Sequence, residues 1–312
     1  MAMKLMPPMF RTALALVVAS LATASIAQDG GSPSDSIVVI GKRSEQAEVA
    51  AEQAKDITLK PTANNPLPRR YAPICLKLFG IDPNFGAVIT EQVYQNVRTL
   101  RLPVAKPGCK PNVWIGFVGD SKNEVKLLRK REPAMFAELK DFEVDRIFAG
   151  SGAAQVWNST EIRSADGRSI PIVQLNIPLD VPRKVEAKYN AGYQGGRLVS
   201  PIRSDINGTI VVFDSARANG KTVQQLADYA TLRILAPVQD YDKVPERAMP
   251  TILTLFTPGA DPPEGLTEFD WAYLSAYYKL DSGAKASAVH DSVRQAVLDG
   301  TGQSLRERSA GQ

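Results

Sequence analysis

Residues 209–235 read TIVVFDSARANGKTVQQLADYATLRIL, and this stretch says most about the class of fold. After Thr209, residues 210–213 form an uninterrupted apolar run, which is typical of a buried strand. Thr222 and Gln225 then stand in the positions of a capping box, ahead of an apolar pattern with helical period, so a helix is predicted over 222–235. A strand followed directly by an amphipathic helix indicates a sheet with helices packed against it.

Strands and helices also alternate upstream of this stretch. Apolar runs at 74–79 and 113–118 predict two strands, and a helix is predicted between them over 83–100, with Asp82 as its cap. A second upstream helix is predicted over 123–139. The apolar residues that set the period of the 83–100 helix are Phe85, Val88, Ile89, Val93 and Val97.

Two further segments predict strands that pair with each other. Residues 155–163 and 170–175 are joined at Asp166-Gly167, a dipeptide that favours a hairpin turn. Towards the C-terminus, helices are predicted over 267–278 and 285–298. Because strands both alternate with helices and pair with one another, the sequence predicts an α+β fold with a mixed sheet and packed helices.

The first 27 residues have the three parts of a secretory signal peptide. Lys4 and Arg11 supply the positive charge, residues 12–21 the apolar core, and residues 25–27 the small side chains of a cleavage site. The apolar core is too short to span a bilayer, which requires about 20 such residues. We therefore expect a periplasmic or secreted protein with no transmembrane segment after cleavage.

The rest of the chain divides by composition. Residues 28–70 are mostly small and polar and predict a flexible arm, with a short helix through 45–54. Residues 71–300 predict a single α+β domain, and residues 301–312 a disordered tail. Residues 178–201, rich in Lys, Arg, Gly and Tyr, predict a long exposed loop of the kind that often carries function.

The charge balance argues against a nucleic-acid partner. The chain has 37 Lys and Arg against 33 Asp and Glu, a formal net charge of +4. Loss of Lys4 and Arg11 with the leader reduces this charge to about +2, whereas nucleic-acid-binding domains usually concentrate a basic excess on one face.

Cys75 and Cys109 are the two cysteines of the chain. In an oxidising compartment an isolated pair favours a disulfide, and the alternative is a pair of free buried thiols. The two residues form no Cys-x-x-Cys motif, so a redox-active pair is not expected.

The single histidine, His290, limits the chemistry that the chain can perform. A zinc site built from two or three imidazoles cannot be assembled within one chain, and no metal or cofactor is expected. A Ser-His-Asp triad would also need the serine of a Gly-x-Ser-x-Gly elbow, which is not present. Ser282 and Lys285 match the Ser-x-x-Lys pattern of penicillin-binding enzymes without its companion motifs, and Ser282 is interpreted as a helix cap.

Residues 209–278 resemble the scaffold of zinc peptidases of the metzincin type, in the order and spacing of their segments. The segments that carry the resemblance are the strand 209–213, the helix 226–235, the turn 251–253, Leu266-Thr267-Glu268-Phe269-Asp270 and the helix end at 276–278. Ala227 and Thr231 stand where that family has its two histidines, and Asp228 stands in place of the catalytic glutamate. The resemblance therefore implies a zincin-like scaffold without zinc or a metal-activated water, a pseudoenzyme.

Two other resemblances concern location and partners. Residues 36–43, SIVVIGKR, are similar to the segment near the mature N-terminus of TonB-dependent outer-membrane receptors, which implies an accessory role in TonB-linked transport. The chain as a whole resembles exported envelope proteins of alphaproteobacteria such as sphingomonads. This second resemblance implies a compartment and no particular activity.

Three functions follow as hypotheses, and the sequence favours the first. It is a non-catalytic binding or scaffold protein for an envelope protein or peptide, using a groove beside Asp228 or the loop residues Lys184, Lys188, Tyr189, Tyr193 and Arg197. The second is a carboxylate-dependent hydrolase of a peptide or glycan, in which Asp228 works with Asp214 or Asp270. The third is the TonB-linked accessory.

Overall fold

In this computed structural model, the described residues are 33–61, 65–136, 139, 141–149, 152–177, 183–188 and 200–311. The chain divides into two units, residues 1–39 and residues 40–312. The described part of the first unit, residues 33–39, forms the beginning of a helix. All contacts described below lie within the second unit.

The central sheet is mixed and has five strands, which confirms the α+β expectation. The strands are β1 (Pro68–Arg69), β2 (Leu76–Phe79), β3 (Val113–Val118), β4 (Ala154–Ser164) and β7 (Ile202–Asp214). β2, β3 and β7 run parallel, and β1 pairs in parallel with the beginning of β7. β4 is antiparallel to β7, on the other side of that strand.

The long central strand β7 is buried because helices cover both faces of the sheet. Its alternate residues Val211 and Phe213 belong to the main core, whereas Ile210 and Val212 belong to a second core with Trp157. A strand covered on both faces has apolar side chains on both, which is why its sequence is a continuous apolar run rather than an alternating one.

The described part also contains the helices of the fold. They are α1 (Pro33–Ile57), α2 (Pro83–Thr99), α3 (Ser121–Arg131), α4 (Asp141–Ala149), α5 (Ser215–Ala218), α6 (Val223–Leu235), α7 (Glu268–Lys279), α8 (Ser287–Leu298) and α9 (Thr301–Ala310). Single 3₁₀ turns occur at Pro133–Phe136 and Ile252–Thr254. Within the described ranges, none of these helices combines the length and apolar character needed to cross a membrane.

The predicted caps are confirmed at two helices. Asp82 accepts a hydrogen bond from the backbone N–H of Asn84 at 2.9 Å at the start of α2. At the start of α6, Thr222 and Gln225 each accept a backbone hydrogen bond from the other at 3.0 Å, which completes the predicted capping box.

Within the predicted flexible arm 28–70, the helix expected through 45–54 is confirmed as part of α1, but this helix packs against the core and is not flexible. Residues 41–57 belong to α1, and Ala47, Ala50 and Ala54 are fully buried against the core. Alanine contributes little to a hydrophobicity pattern, but its small side chain lets a helix approach closely. Residues 28–32 lie outside the described residues.

The expectation of a disordered tail over 301–312 is also wrong for residues 301–310, which form α9. The helix lies so close to α7 that a Cβ on Gly302 would fall 2.1 Å from the carbonyl oxygen of Glu268. Leu305, on the same side of the helix, is buried. Most residues of α9 are polar, and its buried residues are Gly302 and Leu305. This composition resembles that of a disordered tail, which explains why the prediction was wrong.

The predicted hairpin of 155–163 with 170–175 is wrong in its pairing. β4 pairs along its whole length with β7, and a bridge between Arg163 and Ser169 is what remains of the predicted pair. β5 (Ile172–Ile177) instead pairs with β6 (Arg183–Lys188) in a separate antiparallel sheet. Part of the predicted loop 178–201 is therefore the strand β6, which pairs with the neighbouring β5. The long pairing of β4 with β7, distant in sequence, outweighed the local turn signal at Asp166-Gly167.

The helices α2 and α3 differ in detail from their predictions. Ile89, Val93 and Val97 are buried as expected, but Phe85 and Val88 are more than half exposed. α3 ends at Arg131 rather than continuing to 139, because Pro133 cannot continue the helix and begins a 3₁₀ turn.

Cys75 and Cys109 form a disulfide, so the alternative of two free thiols is wrong. The bond joins Cys75, the residue before β2, to Cys109 in the loop that precedes β3. The strands β2 and β3 pair with each other. A disulfide at this position is consistent with an exported protein.

Candidate functional site

A cavity of about 210 Å³ lies beside β4, the strand that forms one edge of the central sheet. β4 forms one wall, α4 the second, and the C-terminal end of α6 with Pro237 and Val238 the third. The apolar part of the wall includes Trp157, Ile147 and Phe142, and Phe142 is 54% exposed. An exposed aromatic side chain at the border of a cavity provides apolar surface that a bound molecule would cover.

The charged residues that line the cavity are mainly cationic. They are Lys60, Arg146 and Arg233, with Glu143 as the acidic one. Of the residues that line the cavity, none is a histidine or a cysteine. The cavity is therefore equipped to attract an anionic group rather than to transfer protons or hold a transition metal.

Arg233 is held by two partners, Asp240 and Tyr229. Its Nη1 lies 2.6 Å from Oδ1 of Asp240 and donates to the hydroxyl oxygen of Tyr229 at 3.2 Å. The Tyr229 hydroxyl in turn donates to both carboxylate oxygens of Asp240, at 2.8 and 2.9 Å. Burial opposes the charge of Arg233, but Asp240 and Tyr229 outweigh it and leave the pKa of Arg233 above its ordinary value.

Arg146 projects from α4 towards the same cavity. The pKa of its guanidinium is lowered, mainly by partial desolvation and also by the like charge of Arg233, although the carboxylate of Glu143 raises it. The guanidinium stays charged at neutral pH because arginine titrates far above that range. Both arginines line the same cavity.

A hydrogen-bonded chain behind the sheet orients a third group of the cavity, the amide of Asn158. Nη2 of Arg70 donates to Oγ1 of Thr209 at 2.5 Å, and this hydroxyl donates to Oδ1 of Asn158 at 2.6 Å. Arg70 is 3% exposed, and burial lowers its pKa to about 10, so the guanidinium is charged at neutral pH. Its Nε and Nη1 have no hydrogen-bond partner among the residues that the structure describes.

Asp228, the residue that stands at the position of the catalytic glutamate in the resemblance, is buried in a structural junction. Its Oδ1 accepts hydrogen bonds from Asn96 at 2.6 Å and Gln92 at 3.2 Å, both on α2, and its Oδ2 accepts one from the backbone of Leu266 at 2.9 Å. Burial raises the pKa of Asp228, and these hydrogen bonds lower it. Gly265 permits this approach, since a Cβ there would lie 2.4 Å from Oδ2.

Because Asp228 connects α2, α6 and the segment that leads into α7, we expect its replacement to affect stability. In Asp228→Asn, the amide N–H₂ would face groups that are themselves hydrogen-bond donors, so at least one hydrogen bond would be lost. The substitution should therefore lower the free energy of unfolding by about 1 to 2 kcal/mol. Chemical denaturation measures this change. Asp214→Asn is the matched control, because Asp214 accepts one backbone hydrogen bond, from Arg217, at the start of the short helix α5. Equal losses in the two variants would contradict the structural role of Asp228.

Asp270 and Asp214 occupy places different from that of Asp228. Asp270 is fully buried at the start of α7, where its carboxylate accepts hydrogen bonds from Thr251, Ile252 and Thr267. Asp214 caps α5 at the end of β7. None of the three carboxylates lines the cavity beside β4. Their catalytic role stays a prediction.

The loop residues predicted to bind a partner are only partly described. Lys184 and Lys188 lie on β6, and nothing is described of their side chains. Tyr189, Tyr193 and Arg197 lie outside the described residues.

His290 lies on α8, where its ring nitrogen Nδ1 is 3.1 Å from Oδ1 of Asp291. It borders a second, open cavity of about 640 Å³ together with Lys55, Lys60 and Lys285. In the described part of the chain, no group of three or more His, Cys, Asp or Glu side chains is placed to hold a metal ion.

Sequence analysis did not identify Arg146, Arg233, Arg70 or Asn158 as site residues. One signal was available for Arg233, because it is the one charged residue among the five C-terminal residues of α6, which are all buried. A buried arginine in such a segment needs a partner and often marks a specific site. The other three gave no signal, because their proximity depends on the pairing of β4 with β7 and on the position of α4.

No family model, no curated protein and no solved structure matches this chain.

Proposed function

We propose that this protein is an exported, non-catalytic binding protein that takes its ligand in the cavity beside β4. The observation that carries the proposal is that the side chains of Arg146 and Arg233 line one small cavity together with apolar residues. Ligand sites commonly combine apolar surface with a few polar groups that fix orientation. The residues that line this cavity include no paired acid and base and no activated nucleophile, so binding is the function that they support best.

The proposal includes a zincin-like scaffold. α6 follows β7 directly, and the end of α6 borders a cavity under the antiparallel edge strand β4. This arrangement of helix, edge strand and cavity supports the resemblance to that scaffold. Ala227 and Thr231, which stand in place of the metal ligands, are fully buried, and the residue of α6 that borders the cavity is Arg233. The scaffold would accordingly serve recognition rather than metal-assisted hydrolysis.

The other two hypotheses have less support from the geometry. Asp228 and Asp270 are buried and each accepts at least three hydrogen bonds, which suits a structural role better than attack on a substrate. The segment 36–43 lies within α1, and its last three residues are exposed. A role of this segment in TonB-linked transport stays a prediction.

Ligand capture with matched arginine variants tests the proposal. The full chain would be expressed, purified from envelope extract, and analysed by native mass spectrometry for retained molecules or partners. We expect Arg146→Glu to abolish retention, because it replaces a cation of the cavity by an anion. Arg168→Glu, which changes an arginine whose side chain is 77% exposed in a surface ion pair with Asp166, should leave retention unchanged.

Two outcomes would contradict the proposed function. The first is retention that is equal in wild type, Arg146→Glu and Arg168→Glu, which would place binding elsewhere on the molecule. The second is a hydrolytic activity towards peptides or glycans that is lost in Asp228→Asn while the unfolding midpoint stays within a few degrees of the wild type.

A further inference from the structure

We infer that the cavity beside β4 binds the carboxylate of a small organic anion with an aromatic or branched apolar body. This inference rests on the proposed function and specifies its ligand class. The ligand chemistry could come from a free organic acid or from the C-terminal end of a peptide, and both present one carboxylate beside an apolar group.

The charges of the cavity match a group with a single negative charge. Three cationic side chains, Lys60, Arg146 and Arg233, line the cavity, and two carboxylates, Glu143 and Asp240, lie beside them. Asp240 is already paired with Arg233, and Glu143 faces Arg146. One positive charge remains in excess, which a monovalent anion neutralises and a dianionic phosphate does not.

The hydrogen-bonding groups of the cavity also favour a carboxylate. A guanidinium group presents paired N–H donors whose spacing fits the two oxygens of a carboxylate. Asn158 adds a donor of fixed orientation. Arg70 can only donate, so the Thr209 hydroxyl must accept from it and donate to Oδ1 of Asn158. The acceptor of the Asn158 amide is thereby occupied, and its N–H₂ group is left for other partners.

The size and the apolar wall of the cavity define the rest of the ligand. A volume of about 210 Å³ is below the range of roughly 300 to 1,000 Å³ that is usual for drug-sized ligands, so it suits a small molecule or one terminal residue. Trp157, Ile147 and Val238 supply buried apolar surface, and the half-exposed ring of Phe142 borders it. A short apolar body would cover these groups while its carboxylate reaches the arginines.

Titration calorimetry with matched probes tests this inference on the full chain after its expression and purification. The probes are 3-phenylpropionate, its neutral amide, acetate, inorganic phosphate, and the tripeptide Gly-Gly-Phe with a free or an amidated C-terminus. We expect 3-phenylpropionate to bind at least tenfold more tightly than its amide, because a hydrogen bond to a charged group contributes roughly a factor of ten or more. Acetate and phosphate should bind more weakly than 3-phenylpropionate.

Two substitutions connect this binding to the cavity. Arg146→Gln should weaken binding of 3-phenylpropionate roughly tenfold or more, because it removes a charged donor. Glu143→Gln should tighten binding a few-fold, because it removes the anion that competes for Arg146. Arg168→Gln is the control, with no expected change. Thermal unfolding of each variant checks that the fold is intact.

The outcomes separate this inference from the proposed function. Gly-Gly-Phe that binds only with a free C-terminus identifies a peptide end as the source of the carboxylate, and binding of 3-phenylpropionate alone identifies a free acid. Equal binding of 3-phenylpropionate and its amide, or tighter binding of phosphate, would overturn the carboxylate inference and leave the cavity as a binding site. Retention of an envelope ligand that depends on Arg146, with no binding of any carboxylate probe, would also overturn it. If no envelope ligand is retained in a way that depends on Arg146 and no carboxylate probe binds, the proposed function is overturned as well.

Discussion

Asp270→Ala should lower the free energy of unfolding by about 3 to 4 kcal/mol, because it leaves several buried donors without an acceptor. Oδ1 of Asp270 accepts from the Thr251 hydroxyl at 2.5 Å, and Oδ2 accepts from the backbone N–H groups of Ile252 at 2.9 Å and Thr267 at 3.0 Å. These contacts fix the turn at 251–254 against the start of α7. Urea denaturation monitored by tryptophan fluorescence measures the loss.

The control for this variant is Asp261→Ala, in the exposed loop that leads towards α7. A surface substitution of this kind should change the free energy of unfolding by no more than about 0.5 kcal/mol. A loss of less than about 1 kcal/mol in Asp270→Ala would contradict the assigned hydrogen bonds, since even one orphaned buried donor costs that much.

The same residue predicts a dependence of stability on pH, which Asp270→Asn isolates. Burial raises the pKa of Asp270 to about 6 from an ordinary value of 3.8, although hydrogen bonds from Thr251 and from Thr267 oppose the rise. Between these two pH values the unfolded chain loses the proton while the folded chain keeps it, so the folded state becomes less stable as the pH rises. Asparagine cannot ionise and removes this contribution.

We therefore expect the wild type to lose stability relative to Asp270→Asn as the pH rises from 4 to 7. The relative loss should reach as much as about 3 kcal/mol, since each unit of pKa difference corresponds to about 1.4 kcal/mol. Denaturation curves at several pH values in this range measure it. Parallel stability curves for the two proteins would show that the carboxyl group ionises as easily in the folded chain as in the unfolded one.

The second large effect concerns the disulfide. The double variant Cys75→Ala/Cys109→Ala should lose roughly 3 to 4 kcal/mol of unfolding free energy, because the bond closes a loop with a sequence separation of 34 residues and restricts the unfolded chain. The loop contains β2 and α2, and its ends lie beside the point where β2 and β3 pair. Equilibrium denaturation gives the value directly.

A thiol reductant supplies the matched control for this prediction. Reduction should bring the wild type down to the stability of the double variant and should leave the double variant unchanged. If the reductant lowers the free energy of unfolding of both proteins equally, the effect does not come from the bond between Cys75 and Cys109.

Several parts of the fold could be predicted from local sequence because local physics decides them. The Thr222–Gln225 capping box satisfies backbone groups within one helical turn, and the helix α6 begins where that box predicts. The apolar run 209–213 lies in β7, because such a run can be stable only where both faces are covered. Two cysteines in a chain predicted to be exported favour a disulfide, and the bond is present.

Other parts could not be predicted, because they depend on contacts between residues far apart in the chain. The alanines of α1 acquire their burial only from the core that they meet. β4 carries a local hairpin signal but pairs with β7, because that pairing extends over its whole length and the hairpin would not. The exposure of Phe85 and Val88 likewise reflects which face of α2 meets a neighbour.

The sequence by itself determined the α+β class, several strands and helices and the lack of a histidine cluster, and it favoured the disulfide, since each depends on residue type and on spacing within a short segment. The tertiary structure alone decided where the candidate site lies. Arg146, Asn158 and Arg233 stand on α4, β4 and α6, and they share one cavity only because β4 pairs with β7 and both helices pack beside that edge. Folding brings these charges and donors together through long-range packing, which no local pattern encodes.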